Sequence, residues 1–106
     1  MPIIVKSASP VWERDNHWSS LLLGEIGGVY VRHRHMKEMS TNLHMHPGAE
    51  ETFFVLDGYM TLEVDGKRSL LSKGDLAVVS AGEKHRLIID HHVELLVIDN
   101  IQPTKM

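Results

Sequence analysis

The chain has 106 residues, of which 42% are hydrophobic and 24% charged, a composition typical of one globular domain and not of a disordered chain. Its formal net charge of −3 argues against nucleic acid as the main partner, because phosphate binding needs a basic patch. The absence of cysteine excludes disulfides, thiolate metal sites and thiol nucleophiles, so any metal must be held by histidine and carboxylate.

No apolar run in the chain approaches the length that spans a membrane. Residues 1–6 lack a basic region followed by a long apolar stretch, so we expect no secretory signal. We therefore expect a single domain over residues 1–106, with its core at about residues 20–100, located in the cytoplasm and without a nucleic-acid or membrane partner.

Alternating apolar and polar residues mark short predicted strands, and residues 10–20 show no clear pattern. In chain order the predicted strands lie at residues 21–23, 29–35, 42–46, 51–56, 59–64, 69–71, 76–79, 86–89 and 93–98. Turn residues separate them, and Asp65-Gly66 is the strongest hairpin signal. About nine or ten strands without a helical period predict an all-β sandwich or barrel.

Three of the eight histidines form a pattern with chemical meaning. His44 and His46 are two residues apart, so on a strand both would project from the same face. After a turn at Pro47-Gly48, Glu51 lies on the next predicted strand, which can pair with the first, and His85 follows a later turn. Imidazoles and a carboxylate suit one divalent ion of Fe, Mn, Ni, Co, Cu or Zn. Two solvent-exposed histidines on a strand would produce the same His-X-His spacing.

A second pair, His33 and His35, has the same spacing but no turn and carboxylate at the matching distance, and arginines interleave it. We interpret this pair as solvated or at a subunit contact. We interpret His91-His92, between the last two predicted strands, as part of a solvated turn.

The spacing around His44 resembles the first motif of the cupin family. In that motif His-X-His is followed by three or four residues, Glu, six residues and Gly, which His44, His46, Glu51 and Gly58 match. Glu51 fits as the ligand and Glu50 does not, because only Glu51 has the six-residue spacing to Gly58. Glu50 is a candidate for a group that supports a ligand from behind or lies at the rim of the site.

A later stretch is similar to the second cupin motif, which runs Gly, five residues, Pro, one residue, Gly, two residues, His, three residues, Asn. Gly74, Gly82 and His85 match it, whereas Ser80 stands where the motif has proline and Ile89 where it has asparagine. Neither departure is at a metal ligand of the family, but together they indicate a divergent member.

The resemblance implies a cupin-type double-stranded β-helix, also called a jelly-roll barrel. It also implies a metal site formed by His44, His46, Glu51 and His85. We identify no catalytic group beyond this centre and expect no cofactor besides the metal.

Strand parity extends the argument from the ligands to a pocket. If Glu51 and His85 face the barrel interior, alternate residues on their strands do so too. The expected pocket lining is Phe53, Val55, Met60, Leu62, Leu87 and Ile89. None of these is Lys or Arg, so we expect an apolar pocket, although Arg32 and Arg34 would supply cations if their strand faces the other way. The same residues would be buried in any barrel core.

Two classes of function remain. The first is a metal-dependent enzyme, dioxygenase-like and acting on a small, largely apolar oxygenated substrate, or an isomerase or lyase acting on sugars or acids. The second is a non-catalytic module that binds or senses a small molecule through its metal. In either case we expect a homodimer, to which the apolar segment at residues 2–5 could add a strand.

Overall fold

Six strands and no helix make up residues 17–101, which are the residues that the computed structural model describes. The strands are β1 (Trp18–Ile26), β2 (Val29–Ser40), β3 (Glu51–Val64), β4 (Lys67–Ser72), β5 (Leu76–Val79) and β6 (His85–Asp99). The all-β prediction is confirmed. In this part of the chain there is no helix long and apolar enough to cross a membrane. The apolar segment at residues 2–5 and most of the unclear stretch at residues 10–20 lie outside the described residues, and a single domain over residues 1–106 stays a prediction.

All strand pairs are antiparallel, in the order β1-β2-β6-β3-β4. One edge of β3 pairs with β6 along almost its whole length. The other edge is shared, because β5 pairs with the first part of β3 and β4 with the last part. The two long central strands, β3 and β6, therefore position most of the other elements.

The predicted strands at residues 51–56 and 59–64 form one continuous strand, β3, and the expected turn at Asp57-Gly58 is a break in register within it. Such an irregularity bends a strand without ending its pairing. Gly58 has a φ of 75°, and a Cβ at this position would collide with the backbone carbonyl oxygen of His92 on β6. A glycine is required there by the close approach of the two strands and not by a chain reversal.

The predicted strands at residues 86–89 and 93–98 are likewise one strand, β6. Residues 90–92 between them are exposed as expected, but they continue the strand and do not form a turn. The predicted strand at residues 42–46 is wrong, because this segment makes only one isolated bridge, between His44 and His85.

The hydrophobic core lies on one face of the paired strands, called the inner face here. Residues directly opposite each other in an antiparallel pair share a face, and the opposed pairs Phe53–Val97, Val55–Leu95 and Leu62–Leu87 are all buried. The core consists of Met36, Phe53, Val55, Met60, Leu62, Leu71, Val79, Leu87, Ile89, Val93, Leu95 and Val97.

The register of β2 on β6 decides which way the arginines of β2 face. Arg34 lies opposite Leu95 and Arg32 opposite Val97, so both arginines project from the inner face. His33 and His35 alternate with the arginines along β2 and lie opposite Leu96 and Glu94, on the outer face. The sequence left this orientation open, and the structure adds two cations to the face expected to be apolar.

Candidate metal centre

The four ligands expected from the sequence come together at one place in the fold. Each of His44, His46, Glu51 and His85 offers a ligand atom, and these atoms all lie within 4.8 Å of one another. Glu51 begins β3, His85 begins β6, and the other two histidines lie on the irregular segment between β2 and β3.

Backbone hydrogen bonds hold the irregular segment against β6. The amide of His44 donates to the carbonyl of His85 (2.9 Å), and the amide of His85 donates to the carbonyl of His44 (2.8 Å). The amide of Gly82 donates to the carbonyl of His46 (3.1 Å), just before the turn at Pro47-Gly48. These bonds fix three histidine backbones relative to one another.

Glu51 reaches the same place from a different strand. Its neighbours in the sheet are Val79 on β5 and Asp99 on β6, not the segment that carries His44 and His46. The expected pairing of the two ligand-bearing segments is therefore wrong, although the carboxylate still meets the imidazoles. It does so because β3 presents Glu51 on the inner face, where the residue is 6% exposed.

Backbone carbonyls orient two of the imidazole rings. The Nδ1 of His44 lies 2.7 Å from the carbonyl oxygen of Asn42, and the Nδ1 of His85 lies 3.0 Å from that of Glu83. A carbonyl oxygen can only accept, so each Nδ1 donates its hydrogen, and a neutral ring then has a bare lone pair on Nε2. This is the usual support of metal-binding histidines.

The Nε2 atoms face the Glu51 carboxylate. Its Oε1 lies 2.9 Å from the Nε2 of His85, 3.3 Å from that of His46 and 4.0 Å from that of His44. A bare lone pair and a carboxylate oxygen repel each other unless a proton or a cation lies between them. Two ligand atoms that are each about 2.1 Å from a common ion lie roughly 3 Å apart when the angle between them at the ion is a right angle, and about 4 Å apart when they lie on opposite sides of the ion. The donor set and its spacing therefore fit one divalent ion.

The site is enclosed on one side and open on the other. His85 and Glu51 are both buried, whereas the side chains of His44 and His46 are 36% and 33% exposed. A ligand can thus approach from the side of His44 and His46.

Glu83 supports the centre in a way that the sequence reasoning missed. Its carboxylate accepts a hydrogen bond from the amide of Ser80 (2.8 Å), and its own amide donates to the carbonyl of Ser80 (3.2 Å). This closed turn presents the Glu83 carbonyl to His85. The Ser-X-X-Glu spacing, typical of a side chain that caps a preceding amide, is the signal that could have identified it.

The six residues expected to line the pocket, Phe53, Val55, Met60, Leu62, Leu87 and Ile89, are all buried in the core. Phe53 comes close to the ligands, with its ring centroid 6.2 Å from that of His85. That the six contact a substrate stays a prediction. A separate open cleft of about 330 Å³ is lined by Val29, Gly48, Glu50, Ala81 and Asn100, so the exposed Glu50 lies at the rim of that cleft.

The two inward arginines of β2 differ in how their charges are met. Arg32 donates to the carboxylate of Asp99 and to the carbonyl of Ile101, both at 2.8 Å. The Nε of Arg34 is buried and has no hydrogen-bond partner within residues 17–101, while its guanidinium lies 4.7 Å from the ring centroid of Trp18. Burial lowers the pKa of Arg34, and the charge of Glu51 is the strongest influence opposing this.

A second group of side chains could also hold a metal ion, namely His33, His35 and Glu94. The interpretation of His33 and His35 as solvated is wrong, because both are buried on the outer face. Their Nε2 atoms lie 2.7 and 3.1 Å from the two carboxylate oxygens of Glu94. Burial acts to raise the pKa of Glu94, but the hydrogen bonds from His35 and His33 outweigh it and hold the pKa below its usual range.

Comparison with known proteins places these observations in a family. The family model described as a cupin domain matches residues 32–99, a stretch that includes all four candidate ligands. Quercetin 2,3-dioxygenase of Bacillus subtilis (strain 168) is 42% identical over 55 residues, which are 52% of this chain. The match spans only 16% of that curated relative.

Solved structures share the fold at low sequence identity. The TT1209 protein of Thermus thermophilus superposes with a TM-score of 0.82 at 17% identity, covering 96% of this chain and all of that one. KdgF from Halomonas sp. superposes with a TM-score of 0.80 at 12% identity, covering 96% of both chains. These similarities show the fold, and they confirm the barrel architecture expected from the motifs.

Proposed function

The chain belongs to the cupin domain family, and we propose that it holds one divalent metal ion at which it acts on a small oxygenated molecule. The proposed ligands are His44, His46, Glu51 and His85. The observation that carries the proposal is the convergence of three Nε2 atoms on one carboxylate, with two of the rings oriented through Nδ1 by backbone carbonyls.

The metal would supply Lewis-acid activation of an oxygen-bearing substrate or redox chemistry with dioxygen. Asn42 and Glu83 hold His44 and His85 in the tautomer that leaves Nε2 available. Glu51 would hold the ion with its carboxylate and would balance part of its charge. Phe53, packed beside His85, excludes water from the enclosed side, so that exchange with solvent occurs past the exposed rings of His44 and His46.

A dioxygenase-type reaction is the form of this proposal that we favour. Its support is the similarity to quercetin 2,3-dioxygenase, although this chain spans about a sixth of that protein. An isomerase or lyase reaction on a sugar or an acid would use the same centre through Lewis-acid activation alone. A non-catalytic module that binds or senses a small molecule is the alternative outside enzymology, and it would need the same ligands.

Metal analysis tests the centre. We expect the protein purified without chelator to contain about one divalent ion per chain, and His85→Ala and Glu51→Gln to contain less than about a tenth of that amount. His91→Ala, which removes an exposed imidazole from the same strand as His85, is the matched control and retains the metal. Full metal content in folded His85→Ala and Glu51→Gln would contradict the proposal.

Oxygen consumption separates the reaction classes. The protein is loaded in turn with iron, manganese, nickel and cobalt and given catechols, flavonols and diketones. Consumption that disappears in His46→Ala supports a dioxygenase. Saturable binding of the same compounds without consumption or product favours the binding module, and product without oxygen consumption favours an isomerase or lyase.

The homodimer also belongs to the proposal. Within the described sheet β1 is an edge strand, and its exposed side chains include Leu21, Leu22 and Ile26. An unpaired, apolar edge can add a strand from a second copy of the chain. Sedimentation at micromolar concentration tests this, and a monomer would contradict it.

A further inference from the structure

Arg34 has a charge that the described ion pairs leave without a partner. It projects from the inner face of β2, directly opposite the fully buried Leu95. Arg32, two residues away on the same strand, shares this face but is bound by Asp99 and by the carbonyl of Ile101. The two arginines differ in their partners and not in their orientation.

An unpaired guanidinium in this position is costly. Arginine stays protonated at any physiological pH, so it cannot relieve the cost of burial by losing its proton. Its Nε is enclosed and without a hydrogen-bond partner among the described residues. The ring of Trp18 stacks on one face of the guanidinium, with its centroid 4.7 Å away. A stacked ring does not accept the hydrogen bonds that the guanidinium N–H groups donate within the guanidinium plane. Among the described residues the buried Nε of Arg34 is thus a donor without an acceptor.

The charges near Arg34 indicate the sign of that ligand. Arg34 and Glu51 both project from the inner face, and among the charges around Arg34 that of Glu51 most strongly opposes the lowering of its pKa by burial. With a divalent ion in the centre the charge of Glu51 is balanced, and Asp99 is already bound by Arg32. One positive charge with in-plane donors then remains on the inner face that Arg34 shares with Glu51.

We propose that Arg34 binds the carboxylate of the molecule that occupies the metal centre, so that the ligand is a small organic acid. This inference rests on the proposed function and adds a substrate class to it. A guanidinium fork matches a carboxylate in a two-point hydrogen bond. A phosphate fits less well, because it has a second negative charge and would lie near Glu51 and Asp99 with one available guanidinium.

Calorimetric titration of the metal-loaded full chain tests the proposal with three probes: benzoate, its neutral isostere benzamide, and inorganic phosphate. We expect benzoate to bind at least about tenfold more tightly than benzamide, the size expected for a charge-assisted two-point contact. In Arg34→Met this preference falls to within about twofold to threefold of unity, and Arg34→Lys retains part of it. Arg68→Met removes an exposed arginine that is paired with Glu63, and it leaves the preference unchanged.

Thermal unfolding without ligand provides a second readout. Methionine keeps much of the length of arginine but has no charge to bury, so we expect Arg34→Met to unfold at the same temperature as the wild type or higher. If Arg34 serves only to pack against Trp18, the variant instead unfolds at a lower temperature and keeps the benzoate preference, which would overturn the proposal. Tighter, Arg34-dependent binding of phosphate than of benzoate would overturn the assignment to a carboxylate.

The same titration on metal-free protein separates this inference from the proposed function. Weaker binding of benzoate that still depends on Arg34 would support the inference even if metal analysis shows that the protein takes up no ion. Binding that is equal in the wild type and in Arg34→Met, with and without metal, would reject the inference and leave the metal centre standing.

Discussion

Two histidine pairs with the same spacing, His33-X-His35 and His44-X-His46, end in different environments. The first pair lies on a regular strand, is buried on its outer face, and meets both oxygens of one carboxylate, that of Glu94. The second pair lies on an irregular segment, is about one-third exposed, and shares one oxygen of Glu51 with a third imidazole.

Spacing alone therefore does not decide the role of a histidine pair. In the outer group each Nε2 has a carboxylate oxygen of its own, so hydrogen bonds with Glu94 account for the arrangement without an ion. In the inner group two rings donate through Nδ1 to backbone carbonyls and turn their Nε2 atoms toward one shared oxygen. An ion at the middle of the inner group would offset the repulsion there, whereas in the outer group the two Nε2 atoms already meet the two carboxylate oxygens of Glu94.

The largest expected effect is on metal affinity. His46→Ala removes one ligand of the inner group and lowers the affinity for zinc by at least about 100-fold. Loss of a group that only supports a ligand already lowers metal affinity by roughly 10- to 100-fold, and loss of the ligand itself should lower it further. Loss of one outer imidazole, in His35→Ala, changes it by less than about threefold. Competition with a chromogenic zinc chelator measures both. Equal losses in the two variants would remove the distinction between the two groups.

For stability without metal, we expect substitution in the outer group to cost more than substitution in the inner group. Glu94→Ala removes from two buried imidazoles their hydrogen bonds to the carboxylate and lowers the free energy of unfolding by about 2–3 kcal/mol. Glu51→Ala removes an acceptor that faces the bare lone pairs, and without metal it costs less. Urea unfolding with chelator present checks this, and a larger loss in Glu51→Ala would contradict the comparison.

Acid should act on the outer group through Glu94. Because the folded-state pKa of Glu94 is lowered, the carboxylate contributes stability that is present above its unfolded pKa of about 4.3 and is lost as the pH falls through the lower folded value. The stability of the wild type therefore falls more steeply than that of Glu94→Gln as the pH is lowered from about 5 to 3. Urea unfolding at several pH values, with chelator present, measures the two slopes. Parallel curves would show that Glu94 is not linked to folding.

The smallest effect concerns the turn that orients His85. Glu83→Ala removes the acceptor of the Ser80 amide, loosens the carbonyl that holds the His85 ring, and lowers zinc affinity by up to about tenfold. Glu83→Gln keeps an acceptor oxygen and restores most of the affinity. The same chelator competition measures both variants, and an affinity equal to the wild type in Glu83→Ala would exclude this support.

Much of the fold was predictable from local patterns. Alternation of apolar residues along the segments now seen as β2, β3 and β6 predicts strands, because successive side chains of a strand point to opposite faces. The predicted breaks at Asp57-Gly58 and at residues 90–92 were wrong as turns. A glycine that allows two strands to approach has the same local signature as one that ends a strand, and only the position of His92 in space distinguishes the two.

Local sequence patterns were enough to predict the donor chemistry and the four residues that converge. Without cysteine a metal site must use nitrogen and oxygen, and the family spacing selected His44, His46, Glu51 and His85. The orientation of β2 follows from its pairing with β6, which places Arg34 on the inner face and His33 and His35 on the outer face. The alternation of apolar and polar residues along a strand shows which side chains share a face, but it does not show which of the two faces meets the core. That choice depends on the register with β6, in which a shift of one residue would exchange the two faces.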